Sequence, residues 1–273
     1  MKKRYWVTCI LLSFSITAIS WKAESNDGLT KITSPLNGTI DNKTAKAPSA
    51  EELFGQYLES VYNTAQLSQS GLDIDVFEKA VTGFFNLKAA GDIPQYSSVI
   101  AIADLAKSSC TKRLWIIDLI GQKLLLNTWV AHGSGSGDDV ASNFSNEYDS
   151  HASSLGFYVT GGVYYGKHGR SLKLDGMDAG FNDNARERAI VIHAAPYVSK
   201  SSINKLGRLG RSEGCPAVSR KVIAKVISMI RDKSVLFISG NDSGYTSKYL
   251  DKDIAANYVY PGIEGNPALN ASL

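Results

Sequence analysis

Two short stretches of this chain carry side chains whose types and order suit covalent chemistry. Ala189-Ile190-Val191-Ile192-His193 is an apolar run ending in an imidazole. Gly207-Arg208-Leu209-Gly210-Arg211-Ser212-Glu213-Gly214-Cys215-Pro216 is a glycine- and arginine-rich loop that ends in a thiol. A strand end fixes a base firmly, and glycines let backbone N–H groups approach a reacting carbonyl. A thiol nucleophile needs a neighbour to take its proton, surroundings that favour thiolate, and donors aimed at the developing oxyanion. His193 is the candidate for the first. Arg208, Arg211 and the positive end of a helix expected after the loop are candidates for the second. The N–H groups of Gly214 and Cys215 are candidates for the third, since Pro216 has none to offer. Such a pair would attack an amide carbon and then protonate the leaving amine.

Each piece has a plainer reading. A histidine closing a strand is often structural, a buried cysteine is usually a small hydrophobe, and loop arginines commonly just solvate the loop. A zinc site built from His132, His151, His168 and His193 would need a compact ligand motif, and spacings of 19, 17 and 25 match none. No metal and no cofactor is therefore expected.

The elements that must position these groups follow from the hydrophobic pattern. Ser49 with Glu52 forms a capping-box signature ahead of Leu53, Tyr57, Leu58, Val61 and Tyr62 at helical spacing. Asp73 is placed to cap a second helix with Ile74, Phe77, Ala80, Val81, Phe84 and Phe85 on its buried stripe. From about residue 96 the texture is β, with strands expected over 98–106, 113–120, 122–131, 155–160, 163–167, 171–174, 189–193 and 234–239. Gly121 is read as joining one hairpin, and Gly161-Gly162 as the turn of another. One helix interrupts this region, with Ser219 as its cap and Val222, Ile223, Val226, Ile227 and Ile230 as its stripe. The order argues for a mainly β domain with one packed helix, preceded by an α-helical segment, and against a parallel α/β sheet.

Composition sets the outer bounds. The chain has 273 residues, 44% of them hydrophobic, and a formal charge of +3. The start reads as an export signal: Lys2, Lys3 and Arg4, an apolar stretch to Ile19, and a small-x-small site at Ala18-Ile19-Ser20. Removing residues 1–20 takes away those three cations and no acid, bringing the formal charge from +3 to zero. A neutral mature chain has no global field to hold nucleic acid, and no integral membrane segment is expected after cleavage. Cys110 and Cys215 would then remain, and an oxidising compartment leaves a disulfide between them open.

The block 130–218 resembles the murein L,D-transpeptidase catalytic domain family, a branch of the YkuD-like L,D-transpeptidases. The resemblance rests on Val130-Ala131-His132-Gly133, Ser153-Ser154-Leu155-Gly156-Phe157-Tyr158, Gly180-Phe181-Asn182-Asp183-Asn184-Ala185-Arg186, Ile190-Val191-Ile192-His193 and Gly210-Arg211-Ser212-Glu213-Gly214-Cys215-Pro216-Ala217. It implies a YkuD-like β-sandwich or barrel. It also implies an enzyme of the periplasm or cell envelope acting on peptidoglycan stem peptides. The cysteine would attack the L-centre carbonyl of meso-diaminopimelate in a tetrapeptide stem and expel D-alanine. The acyl group would pass to an amine of another stem, to a lysine of a wall-attached protein, or to water. By position the resemblance makes Cys215 the nucleophile and His193 the base, with Gly214 in the oxyanion hole. Arg211, Ser212, Glu213 and His132 are the substrate-binding candidates. Two departures matter: Glu213 stands where the wider family has a second histidine, and Pro216-Ala217-Val218 replaces its usual arginine after the cysteine.

The expected division is a signal peptide over 1–20, a linker over 21–48, a helical accessory segment over 49–92, a catalytic domain over 93–240, and a tail over 241–273 serving as a lid or extra strand. A reading from another class keeps the same fold as a non-catalytic wall-binding module with a Cys110–Cys215 disulfide.

Overall fold

A computed structural model describes residues 47–263. The expected signal peptide, most of the expected linker and the last part of the tail lie outside the described residues.

Helix α1 (Ala50–Thr64) starts at Ser49, whose side chain accepts from the Glu52 N–H while the Glu52 carboxylate accepts from the Ser49 N–H. Both orphan donors of the first turn are thus satisfied at once. Helix α2 (Ile74–Ala89) starts at Asp73, which accepts from the Asp75 N–H. Phe54, Leu58 and Val61 of α1 and Phe77, Val81, Phe84 and Leu87 of α2 are buried. Each such side chain contributes roughly 1.5–3 kcal/mol by leaving water.

Nine strands follow: β1 (Val99–Asp104), β2 (Leu114–Asp118), β3 (Lys123–Thr128), β4 (Val130–Ala131), β5 (Gly156–Gly166), β6 (Gly169–Gly176), β7 (Val191–Ala195), β8 (Ala217–Ser219) and β9 (Val235–Ser239). Their order in the sheet is β3-β2-β1-β9-β5-β6-β7-β8-β4. Strands β3 and β4 lie at opposite ends of that order, yet only Trp129 separates them in the chain. The sheet therefore curls until its two ends nearly meet. The expected single strand 122–131 is in fact split at this point.

Strand periodicity sorts the core into two layers. Ile100 and Ile102 of β1, Trp115 and Ile117 of β2, Phe157 of β5 and Phe237 of β9 pack with α1 and α2. The alternate residues Ala101, Ala103, Leu114, Ile116, Tyr158 and Leu236 face the interior with Val226, Ile227 and Ile230 of helix α4 (Ile223–Ile230). The Trp115 indole N–H donates to Ser70 Oγ at 2.9 Å, joining the α1–α2 connection to the sheet.

Four expectations are corrected. Gly161-Gly162 is not a hairpin turn. Strand β5 runs through it, pairing Thr160 with Leu174 and Val163 with Leu172, so one extra residue forms a bulge and the turn falls at Lys167-His168. Ser219 does not cap α4; it ends β8, and α4 begins after Val222 with no side-chain cap. A further helix, α3 (Lys200–Leu206), capped by Ser199 and closed by Gly207 at φ 71°, lies between β7 and β8. The segment after Gly240 is neither strand nor lid among the described residues. It forms helix α5 (Lys252–Val259), which packs on α1 and α2, and the buried Asn86 amide donates to the Tyr249 and Asp251 carbonyls.

Candidate active site

Strands β7 and β8 run parallel, with His193 opposite Ala217. Stepping back two residues on each chain brings Val191 beside Cys215, and the Val191 N–H donates to the Cys215 sulfur at 3.5 Å. Because side chains alternate along a strand, His193 lies on the same face as Val191. His193 and Cys215 accordingly line one cavity of about 410 Å³ with Arg188, Tyr197, Arg211, Ser212 and Glu213.

His193 is 3% exposed. Its Nδ1 lies 3.1 Å from the Ala194 carbonyl, which can only accept, so Nδ1 carries the proton and Nε2 is left bare as a base. Burial, the nearby His168 and Lys167 hold the imidazole below its ordinary 6.5, against the Ala194 hydrogen bond. Burial likewise pushes the Cys215 thiol above its ordinary 9.0, while the Val191 N–H and the Arg188 guanidinium pull it down. Both shifts favour the uncharged forms, a thiol beside an unprotonated imidazole.

The cation near the sulfur comes from a different element. Arg211 donates to Asp138 and to the Gly137 carbonyl, each at 2.9 Å, and Arg208 also pairs with Asp138. Arg188 fills the role. It is fixed by the Ser145 and Ala152 carbonyls at 2.8 Å and by the Ser150 and Ser154 hydroxyls. The helix end expected beside the thiol is also displaced, because β8 intervenes between Cys215 and α4.

The loop before the thiol is locked from behind. Gly214 adopts φ 110°, a conformation for which glycine is suited. The Ser153 hydroxyl donates to the Gly214 carbonyl at 3.1 Å and accepts from the Gly133 N–H at 3.0 Å. Ser212 Oγ donates to the Cys215 carbonyl at 2.6 Å. Among the described residues the N–H groups of Gly214 and Cys215 donate to no protein acceptor.

His132 is not at the cavity. It is 1% exposed, its Nδ1 accepts from Arg113 Nη2 at 2.6 Å, and Nε2 faces the Gly137 carbonyl at 3.3 Å. Burial first, then the Arg113 charge, pushes it down to about 4, so it is a neutral structural linker and not a substrate contact. Cys110 and Cys215 are both free thiols. Cys110 Sγ donates to the Gly207 carbonyl at 3.1 Å, and the alternative module with a disulfide loses its bridge.

Sequence reasoning missed Tyr164, Lys167, His168, Arg188 and Tyr197, all at the cavity wall. Gly166 and Gly169 flanking Lys167-His168 were the signal for a turn there. Arg188 carried no signal beyond lying just before the strand.

Residues 68–239, well over half of the chain, match a family model described as the L,D-transpeptidase catalytic domain. The match begins within the segment expected to be accessory. No curated protein matches the sequence. Similar solved structures include an L,D-transpeptidase from Mycobacterium smegmatis, at 12% identity and TM-score 0.34, covering 52% of this chain and 59% of that one. The helical cell shape determining protein Pgp2 from Campylobacter jejuni matches at 13% identity and TM-score 0.34, covering 64% and 60%. L,D-transpeptidase 3 from Mycobacterium tuberculosis, in complex with a faropenem-derived adduct, matches at 12% identity and TM-score 0.33, covering 52% and 60%. The chain thus spans about three fifths of the length of each of these structures.

Proposed function

The chain belongs to the L,D-transpeptidase catalytic domain family, and from that premise we propose that it is an exported cysteine acyltransferase of peptidoglycan stem peptides. The observation that carries this reading is the placement of Cys215 and His193 on one open cavity, with the Val191 N–H on the sulfur and His193 Nε2 bare.

The chemistry runs from a neutral pair. As Cys215 Sγ attacks the L-centre carbonyl of the stem's meso-diaminopimelate, its proton passes to His193 Nε2, directly or through one water. The carbonyl π pair moves onto oxygen, where the Gly214 and Cys215 N–H groups receive it; one such donor is worth about 3–4 kcal/mol. Collapse breaks the amide bond, and the D-alanine nitrogen leaves with the proton from His193. The thioester is then attacked by an amine of a second stem, which gives its proton to His193, and the thiol leaves with that proton. Arg188 and Val191 stabilise sulfur's negative charge in both halves. Arg211, Ser212 and Glu213 form the wall that a stem peptide would contact. A wall-attached protein's lysine, or water, would enter at the same second step.

The proposed division places a cleaved signal at 1–20, a linker to 48, helices at 49–92, the catalytic body at 93–240 and the tail beyond it. Export to the periplasm or cell envelope follows from the signal. Among the described residues no helix is long and apolar enough to cross a membrane.

Incubation with tetrapeptide muropeptides tests the reaction. Dimers lacking one D-alanine support transfer, tripeptides alone point to the hydrolytic alternative, and Cys215→Ser should give neither. Unchanged tetrapeptide, with no acyl adduct on Cys215 by intact mass, overturns the proposal.

A further inference from the structure

The proposed mechanism leaves one imidazole at the cavity unused. His168 sits in the turn between β5 and β6, on a hairpin that overhangs the site from an element remote from the Cys215 loop. Its ring lies 4.2 Å from that of His193, at an interplanar angle of 25°. His193 is held on its other side only at Nδ1, by the Ala194 carbonyl. One hydrogen bond leaves the ring free to rock about it, and a stacked neighbour removes that freedom.

We propose that His168 is a positioning residue of this site, holding the His193 ring by stacking so that Nε2 faces the cavity. The inference rests on the reading of His193 as the base. It supplies a second imidazole from the hairpin where Glu213 takes the place of one in the loop. Charge on the hairpin opposes a proton on the His193 ring stacked beneath it, and His168 acts on His193 in that direction. The other groups facing the pair are Tyr164 and Lys167 on the hairpin, and Arg188 and Tyr197 on either side of β7. Arg211, Glu213 and Cys215 face it from the loop. Of the cations, Lys167 acts on His193 in the same direction as a charged His168.

The test uses the full chain with His168→Phe, which keeps a stacked ring without a proton, and His168→Ala, which keeps neither. His168 is exposed, so neither variant should lower the melting temperature. Two readouts are taken: the NMR titration of the His193 ring proton, and the pH dependence of Cys215 acylation by tetrapeptide. In His168→Phe the His193 midpoint should rise and the neutral-pH rate should stay within about twofold. In His168→Ala the rate should fall roughly three- to tenfold, the worth of one aromatic pair. An unmoved His193 midpoint in both variants overturns the inference, whatever happens to the rates. If the wild-type chain acylates nothing, the proposed function fails by itself, while the titration still decides the role of His168.

Discussion

The backbone N–H of Val191 donates to the sulfur of Cys215. The contact is a consequence of register. With His193 opposite Ala217 in parallel pairing, the strand that carries the imidazole also presents an amide to the thiol two residues earlier. The proposed nucleophile and base are therefore placed by the same backbone, and anything that slips β7 against β8 disturbs both.

Thiol reactivity should follow the neutral resting pair. Burial raises Cys215 above 9.0 and lowers His193 below 6.5. Alkylation of Cys215 by iodoacetamide should be slow at pH 7 and still be rising with pH at 9, its midpoint lying above 9.0. Acylation by a tetrapeptide stem, which needs His193 neutral, should keep its rate down to below pH 6.5 and fall in stronger acid. His193→Ala should lower acylation by about 10²–10⁴-fold. Rapid alkylation at pH 6 would mean that a thiolate–imidazolium pair is already formed.

The two arginines should separate. Arg188→Gln removes the stronger of the two cations that lower Cys215, Lys167 being the other, so the alkylation profile should shift to higher pH. Arg211→Gln breaks the contacts to Gly137 and Asp138 and should leave that profile in place. Equal shifts in both variants would return the role to the loop.

Gly133→Ala should damage the site from outside it. A Cβ there would stand 2.7 Å from Gly214 Cα and closer still to the His151 carbonyl, and both are backbone that has no side chain to swing away. Displacement of Gly214 moves the proposed oxyanion donor, so the expected loss in kcat is at least about tenfold. A melting curve shows how much of the strain is shared with the fold.

Stability should fall in weak acid because of His132. Its folded value, about 4, lies below the ordinary 6.5, so the unfolded chain binds the extra proton between those values. The contribution is fully present above pH 6.5 and is lost as pH falls toward 4, at most about 3 kcal/mol. Urea midpoints at pH 7 and 4.5 for the wild type and His132→Gln isolate it, since the remaining groups titrate in both. The wild type should lose more stability than the variant over that interval.

The amino-acid sequence by itself determined what depends on near neighbours. The Ser49–Glu52 capping box, the Asp73 cap and the alternation that divides Ile100 from Ala101 all rest on spacing within a few residues, and they are read without knowing the fold. The pairing of His193 with Cys215 could be suspected from residue type and from the family resemblance. Tertiary structure decided the rest, because it depends on which distant segments meet. The sheet curls until β4 lies beside β8, which buries His132 against Arg113 and takes it away from the cavity. The β5 bulge carries the turn out to His168, which lands on His193. Arg188 reaches the sulfur only because serines and carbonyls of the 145–154 loop hold its guanidinium there. Burial, set by the whole fold, pushes the Cys215 thiol toward its neutral form, where the local charges of the loop had suggested an anion.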